Sequence, residues 1–300
     1  MNLAKAIFVV FLVSYNVAGL VHGLLYVLFS GHMSISWAAS IICNATLSAF
    51  FLIYLMTLQP ARTSMKLPGI LLVTTSCSLL ILIDSYINVA ETAPLLYGVL
   101  CGGIGSYFYV FWYSNLERPQ AIGLGVGEKI PDLKLERYDR KKLTTANFIG
   151  RPAMYLFYRG NWCSLCLSQL TEISEEFHEF YDRGVSIICI SPQPEEETQK
   201  LAVTNPHQMN FIVDSSCEIA KQLGICHERG LPMGLEVMGY DSDTVYPTII
   251  ITDSEGIIVF THQTNNHRVR PTVEELIHVL DDVGITRETA ESLMPLYNTA

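Results

Sequence analysis

Two cysteines three residues apart, Cys163 and Cys166, are the residues of this chain best suited to chemistry. A short apolar run comes first, then Arg159-Gly160 and Trp162, and then the two cysteines. A long amphipathic segment begins at Cys163. This order predicts a strand, a tight turn and a helix that carries both thiols in its first turn. Thiols one helical turn apart lie within the Cα separation that a disulfide tolerates, so the pattern indicates thiol redox chemistry.

The two thiols of this pair are expected to have different roles. Only the thiolate form of cysteine is a good nucleophile, and free cysteine ionises near pH ~8.5. The dipole at the helix start and the nearby Arg159 are both expected to lower the pKa of Cys163. Cys163 is therefore the predicted nucleophile, and Cys166 the predicted resolving thiol that converts the intermediate on Cys163 into an internal disulfide. Cys217 and Cys226, which bracket a short predicted helix, are alternative resolving thiols.

Two other interpretations of the cysteine pair remain open. In one, the pair is half of a zinc site, which needs about four ligands, but the other soluble cysteines and the histidines form no obvious second pair. In the other, both cysteines are buried packing residues. Trp-Cys-x-x-Cys at a strand-to-helix junction is a fairly specific redox pattern, so we expect neither a metal nor an organic cofactor.

The 300 residues are 50% hydrophobic and 16% charged, and the charges are distributed unevenly. Few lie before about Ser114, so the net charge of −10 belongs to the C-terminal part and argues against nucleic-acid binding there. Stretches that approach or exceed the ~20 apolar residues of a membrane-spanning helix cover residues 3–29, 35–58, 68–90 and 93–113. The sequence thus predicts an all-α, four-helix transmembrane region over residues 1–114 and an irregular linker over 115–127.

Positively charged residues outside the spans predict how the protein is oriented in the membrane. Lys5 precedes the first span, Arg62 and Lys66 lie between the second and third, and Arg118 and Lys129 follow the fourth. The other two connections contain no Lys or Arg. This alternation predicts a multi-pass integral membrane protein whose termini and C-terminal domain face the cytoplasm.

Polar and thiol groups inside the predicted spans have mainly structural interpretations. Asp84 is an acid within the third span, where a functional role is the default hypothesis, but a hydrogen bond to Ser85, Asn88 or a tyrosine is the favoured interpretation. Three cysteines occur singly in three different spans and are expected to be packing residues: Cys43, Cys77 and Cys101.

Beyond the linker, strand and helix patterns alternate, and a hairpin and a helix finish the domain. Strands are predicted at residues 153–158, 185–190, 211–213, 246–252 and 257–261, and helices after Trp162 and at 195–203, 217–223 and 271–283. This order predicts an α/β domain over residues 128–284, with a mixed central sheet flanked by helices, and a tail over 285–300.

Residues from about 127 to 284 resemble the thioredoxin-fold redoxins of the alkyl hydroperoxide reductase and thiol-specific antioxidant family, which are peroxiredoxin-like. The resemblance rests, in chain order, on Gly127-Glu-Lys-Ile-Pro-Asp132, Phe157-Tyr-Arg-Gly-Asn-Trp-Cys-Ser-Leu-Cys166, Ile190-Ser-Pro-Gln193, Phe211-Ile-Val-Asp214, Tyr246-Pro-Thr-Ile-Ile-Ile-Thr-Asp-Ser-Glu-Gly256, and a segment with Arg268 and Arg270 before the last helix. It implies that Pro247 is a cis-proline facing the dithiol. Arg159, Trp162 and Pro247 are the predicted supporting residues of the dithiol site.

The resemblance implies a membrane-anchored antioxidant thiol oxidoreductase that reduces peroxides through the dithiol. A thioredoxin-like or low-molecular-weight thiol donor would then recycle the pair. Relatives have a Pro seven residues and a Thr or Ser three residues before the peroxidatic cysteine, where this chain has Leu156 and Gly160. This departure and the second cysteine keep two alternatives open, which are exchange with a protein disulfide and a redox-sensing module coupled to the membrane region.

Overall fold

The chain forms two compact units, Met1–Leu116 and Glu117–Ala300, in a computed structural model that describes residues 2–88, 91–205 and 209–290. The division falls inside the segment that the sequence predicts to be a linker. The last ten residues of the predicted tail, 291–300, lie outside the described residues.

The N-terminal unit consists of helices that match the four predicted spans. They are α1 (Asn2–Ser30), α2 (Ile35–Leu58), α3 (Pro68–Asn88) and α4 (Thr92–Tyr113). All four are long and apolar enough to cross a membrane, judged by length and composition. Their outward faces carry large exposed apolar side chains, as a lipid environment requires, among them Leu28, Phe29, Leu72 and Tyr86.

Small residues let α4 approach its neighbours closely. A Cβ atom added at Gly98 would lie 3.2 Å from the Cα of Ser40 and 2.3 Å from the Cδ1 of Ile81. A Cβ added at Gly102 would lie 2.4 Å from the Sγ of Cys43. The two glycines therefore form a close-packing face on α4, as small residues four apart do in membrane helices.

Asp84 is hydrogen-bonded to Asn88, one of its expected partners, and to Ser36, which was not predicted. Its carboxylate accepts hydrogen bonds from the backbone N–H of Ser36 at 3.0 Å, from the Ser36 hydroxyl, and from the Asn88 amide at 2.9 Å. The bonds from Ser36 join α3 to the first turn of α2. The single cysteines of the spans are buried free thiols: Cys43, Cys77 and Cys101.

The C-terminal unit is built on a five-stranded mixed sheet with the strand order β5-β4-β3-β8-β9. The central strand β3 pairs parallel with β4 and antiparallel with β8. The sheet strands are β3 (Ala153–Phe157), β4 (Ser186–Ser191), β5 (Asn210–Val213), β8 (Thr248–Thr252) and β9 (Ile258–Gln263). This mixed sheet with flanking helices confirms the predicted thioredoxin-like α/β class.

Shorter strands and helices complete the unit. The remaining strands are β1 (Lys134–Glu136), β2 (Lys142–Thr144), β6 (Cys226–His227) and β7 (Thr244–Val245). The helices are α5 (Ser164–Glu175), α6 (Phe177–Tyr181), α7 (Glu195–Thr204), α8 (Glu218–Gln222) and α9 (Val273–Asp282). The single helix predicted after Trp162 is thus two helices, interrupted at Glu176.

Strand β3 is apolar throughout because both faces of the sheet are covered. All five of its residues are buried, as its continuous apolar sequence predicts. Tyr155 and Phe157 pack on one face with Ile188, Ile190 and Ile250 of the neighbouring strands. This packing fixes the end of β3, from which the candidate site begins.

Candidate redox site

A glycine with unusual backbone geometry shapes the turn between β3 and α5. Gly160 has a φ of +134°, which favours glycine, and a Cβ there would lie 2.9 Å from two atoms of the Trp162 ring. A Thr or Ser at this position, as in typical relatives, would therefore be strained and would displace the ring. The turn is therefore shaped for glycine at position 160 and not for the hydroxyl side chain of the relatives.

Gln193, which follows β4, holds this turn from the neighbouring strand. Its Oε1 accepts a hydrogen bond from the Asn161 backbone N–H at 2.8 Å. Its Nε2 donates to the Tyr158 hydroxyl and to the Thr198 hydroxyl, each at 3.1 Å. The Asn161 side chain donates to a carboxylate oxygen of Glu197 at 2.6 Å. Because Gln193 is fully buried and bonded at both ends, it sets the position of the turn.

The two predicted redox cysteines are brought together at the start of α5. Their sulfurs are 2.9 Å apart and share one hydrogen bond, and both are free thiols. The side chain of Cys163 is 7% exposed and that of Cys166 is 1% exposed. Cys163 is therefore the more exposed thiol of the two, and little movement separates the pair from a disulfide.

A guanidinium that sequence reasoning did not assign to the site contacts the inner sulfur. Arg270, which lies just before α9, donates from Nη2 to the Sγ of Cys166 at 3.2 Å. Its Nη1 donates to the Oε1 of Gln169 at 2.8 Å, one turn further along α5. Arg270 occurs in a segment of the family resemblance, but only the tertiary structure shows which sulfur it contacts.

Arg159, a predicted supporting residue, lies in the turn that precedes the dithiol. Its guanidinium lies 4.6 Å from the centre of the Trp162 ring, a cation–π contact, and its Nη2 donates to the carbonyl of Gly230 at 2.7 Å. Arg159 and Arg270 are both 5% exposed. In the described part of the chain their partners are neutral groups and the Cys166 sulfur, and the Nε atom of each has no hydrogen-bond partner. Buried positive charge of this kind stabilises an anion next to it.

The thiolate is favoured on Cys166. Burial acts to raise the pKa of Cys166, but the hydrogen bond from Cys163 and the charges of Arg270 and Arg159 outweigh it and lower that pKa. The hydrogen bond to Cys166 and burial raise the pKa of Cys163. These directions are opposite to the expectation that Cys163 has the lowered pKa. Cys163 occupies the N-cap position of α5, but its side chain accepts no capping hydrogen bond there, and Arg270 contacts the other sulfur.

Pro247 differs from its predicted geometry. No cis peptide bond occurs in the described parts of the chain, so the bond before Pro247 is trans and the expected cis-proline is wrong. The residue precedes β8, whose first residue, Thr248, pairs with Phe157 at the end of β3. Its carbonyl accepts a hydrogen bond from Nη1 of Arg118 at 3.1 Å.

The alternative resolving thiols are neighbours. Burial and, after it, the Cys226 thiol raise the pKa of Cys217, and the Sγ of Cys217 lies 3.6 Å from the carbonyl oxygen of Thr244. A role in resolving an intermediate on Cys163 stays a prediction.

A mixed sheet with a free dithiol at the junction of its central strand and a helix defines the C-terminal unit as a thiol-dependent oxidoreductase of the thioredoxin fold. Residues 126–261, which lie in this unit, match the AhpC/TSA family of redoxins.

Named proteins resemble this chain over the same half. The thiol-disulfide oxidoreductase ResA of a Bacillus cereus strain is 22% identical over 161 residues, which are 54% of this chain and 80% of ResA. Peroxiredoxin Bcp of Bacillus subtilis (strain 168) is 21% identical over 159 residues, which are 53% of this chain and 96% of Bcp. The crystal structure of Enterococcus faecalis AhpC has a TM-score of 0.44 and 15% identity, and the match covers 54% of this chain and 93% of that one.

Proposed function

We propose that this protein is a membrane-anchored thiol peroxidase in which Cys163 attacks a peroxide and Cys166 resolves the product. A thioredoxin-like or low-molecular-weight thiol recycles the pair. The membrane anchor is the bundle of four apolar helices, and the redox domain faces the cytoplasm.

The chemistry follows from the shared proton of the pair. When a peroxide reaches Cys163, the proton of this thiol moves across the 2.9 Å hydrogen bond to Cys166, and the Cys163 thiolate attacks the nearer oxygen. The O–O bond breaks, an alcohol or water leaves with a proton, and Cys163 becomes a sulfenic acid. Cys166 then attacks the Cys163 sulfur and water leaves, so that a disulfide forms. Two donor thiols reduce this disulfide and become a disulfide themselves.

The observation that carries this proposal is the pair of buried guanidiniums beside sulfurs of very low exposure. Cleavage of an O–O bond expels an alkoxide or hydroxide, which is a poorer leaving group than a thiolate and gains more from adjacent positive charge. Arg159 and Arg270 supply that charge in a site shielded from water. A thiol that is only 7% exposed, Cys163, also suits a small substrate better than a folded protein.

Exchange with a disulfide is the second candidate, and the turn at Gly160 favours it. The φ of +134° and the close Trp162 ring exclude the hydroxyl side chain that typical peroxiredoxin relatives have there. Similarity to ResA, by name a thiol-disulfide oxidoreductase, points the same way. Both candidates use the same dithiol and differ in the bond that Cys163 attacks.

Turnover measurements on the full chain in lipid nanodiscs test the proposal. With dithiothreitol as donor, tert-butyl hydroperoxide consumption should exceed reduction of the insulin disulfides, and Cys163→Ser should abolish it. Without donor, one equivalent of peroxide should leave a Cys163–Cys166 disulfide in the wild type and a sulfenic acid on Cys163 in Cys166→Ser. Cys101→Ser, which changes a buried thiol of the membrane unit, is the matched control and should retain full turnover. Insulin reduction without peroxide consumption would replace the first candidate by the second. Wild-type rates that persist in Cys163→Ser would overturn both.

A further inference from the structure

A second pair of thiols lies where the segment before α8 meets the small β6–β7 sheet. Cys226 in β6 is the cross-strand partner of Val245, and the Sγ of Cys217 lies 3.6 Å from the carbonyl oxygen of the adjacent Thr244. Burial and, after it, the neighbouring Cys226 thiol raise the pKa of Cys217, so the two thiols interact. Both cysteines therefore lie at this small sheet, beside the adjacent residues Thr244 and Val245.

The backbone at Cys217 is in an unusual conformation that is not explained by helix capping. Its φ is +55°, in the left-handed region that non-glycine residues seldom occupy. Cys217 occupies the N-cap position of α8, but the N–H groups of Ile219 and Ala220 are bonded instead by the Asp214 carboxylate, each at 3.0 Å. With this backbone conformation the Cys217 sulfur lies next to the small β6–β7 sheet, which contains Cys226.

The two thiols differ in access, as an attacking and a resolving thiol do. Cys226 is half-buried, whereas Cys217 is 1% exposed and lies behind it in the core. The ammonium of Lys221 lies near both sulfurs and is 3.5 Å from a carboxylate oxygen of Asp243. A small reagent can therefore reach Cys226 first. Burial raises the pKa of Cys226, and the positive charge of Lys221 acts against that rise.

We propose that Cys217 and Cys226 form a second dithiol, separate from the Cys163–Cys166 pair, that closes to a disulfide by exchange with a small-molecule disulfide. The Cys226 thiolate attacks one sulfur of the reagent, a mixed disulfide forms on Cys226, and one reagent thiolate leaves. The Cys217 thiolate then attacks the Cys226 sulfur and expels the second half of the reagent. The two protons of the cysteine thiols end on the two released thiols, so that one disulfide has been exchanged for another.

Closure of this disulfide would stabilise one wall of the candidate redox site. The hydroxyl of Thr244 donates to the carbonyl of Arg159 at 3.0 Å, and Arg159 in turn acts, against burial, to lower the pKa of Cys166. Because Cys217 contacts the carbonyl of the same Thr244, a covalent link to Cys226 holds the strand that carries this contact. The second pair is thus placed to preserve the site under oxidising conditions.

The test uses the full chain in nanodiscs with both Cys163 and Cys166 changed to serine, so that only the second pair can close. The protein is treated with 2-hydroxyethyl disulfide, denatured, alkylated and digested with trypsin without reduction. Cleavage after Lys221 separates the two cysteines, so a disulfide appears as two linked peptides in the mass spectrum. We expect these linked peptides and a loss of two alkylatable thiols per chain.

Single variants in this background check the assignment of the steps. Cys217→Ser should stop at a mixed disulfide on Cys226, and Cys226→Ser should leave Cys217 alkylatable after denaturation. Cys189, which is fully buried in β4, is the internal control and should remain a thiol. The proposal fails if both cysteines stay alkylatable, or if Cys226 keeps the reagent while Cys217 is intact. Because the background lacks the Cys163–Cys166 thiols, the result is independent of the proposed peroxidase.

Discussion

Arg270 is the residue that most changes the chemistry expected of the dithiol. A buried cation without a compensating anion is costly, and the anion within reach of Arg270 is the thiolate of Cys166, 3.2 Å from Nη2. The pair therefore loses its first proton at a lower pH than two isolated thiols would. Because the sulfurs share one hydrogen bond, this ionisation belongs to the pair, and either sulfur can present the thiolate to a substrate.

Removal of the Arg270 charge should raise the pKa of this first ionisation. In the wild type the charge lowers the pKa of Cys166, so thiolate is present at neutral pH and is lost as the pH falls through that lowered value. In Arg270→Gln the pH at half-maximal alkylation of the pair should move upward, toward the ~8.5 of free cysteine. At a pH well below both the wild-type and the variant pKa, a pKa higher by about one means a thiolate fraction about tenfold smaller.

Peptide-resolved iodoacetamide rates between pH 4 and 10 would measure this change. Arg140→Gln is a suitable control because the Arg140 side chain is exposed and its carboxylate partner is Glu195. A pH profile of Arg270→Gln that coincides with that of the wild type would show that Arg270 does not govern the ionisation.

At the scale of elements, the site depends on two parallel strands that end at the same edge of the sheet. Strand β3 leads into the turn with the dithiol, and β4, its parallel neighbour, leads into the loop with Gln193. The carboxyl ends of adjacent parallel strands are close together, so a side chain after β4 can bond the backbone after β3. The hydrogen bond from the Asn161 N–H to Gln193 is the result.

Gln193→Leu should loosen this turn. Leucine keeps the approximate volume but leaves the Asn161 N–H and the buried Tyr158 hydroxyl without their partner, at a cost of about 1–3 kcal/mol for each unsatisfied group. We expect faster amide hydrogen exchange of residues 158–163 and a lower peroxide rate. The control is Gln222→Leu at an exposed glutamine of α8. Unchanged exchange in Gln193→Leu would mean that other contacts hold the turn.

Local sequence patterns predicted the elements that depend on local chemistry. The run that became β3 is apolar at every position because both of its faces are buried, and such a run is recognisable in isolation. The break between α5 and α6 at Glu176 was not predictable, because the apolar spacing continues through it and no glycine or proline marks it.

The contacts of the site were harder to predict because they join residues distant in sequence. The Cys163–Cys166 proximity follows from helical spacing, whereas the bond from Arg270 to Cys166 spans more than 100 residues. The sequence places the helix start and Arg159 next to Cys163 and does not show that Arg270 lies next to Cys166. It therefore predicts the lowered pKa for Cys163. The trans bond before Pro247 corrects an expectation that came from resemblance alone.

At the scale of the whole molecule, the two units have different predicted roles, one as membrane anchor and the other as redox domain. The N-terminal unit contains four helices of membrane-spanning length, and the C-terminal unit contains the dithiol and its arginines. An apolar bundle of this kind would fix the redox domain to one membrane surface. The side on which the domain lies decides which thiol donors can reach it.

The loop charges predict that this side is the cytoplasm, and the full chain with a C-terminal epitope tag tests it. Lys5, Arg62 with Lys66, and Arg118 are all predicted to lie on the side of the redox domain, whereas the connection at residues 31–34 carries no Lys or Arg. Protease added to intact cells should leave the domain whole, and protease added after permeabilisation should cleave it.

Charge variants make the topology test specific. The double variant His32→Lys with Met33→Lys should place the domain of a measurable fraction of molecules on the outer side, because the new charges oppose the existing bias. Thr63→Lys, in the connection already rich in positive charge, is the matched control and should leave the domain protected. Cleavage of the wild-type domain in intact cells would reverse the predicted orientation, and the electron donor would then have to be a thiol available outside the cytoplasm.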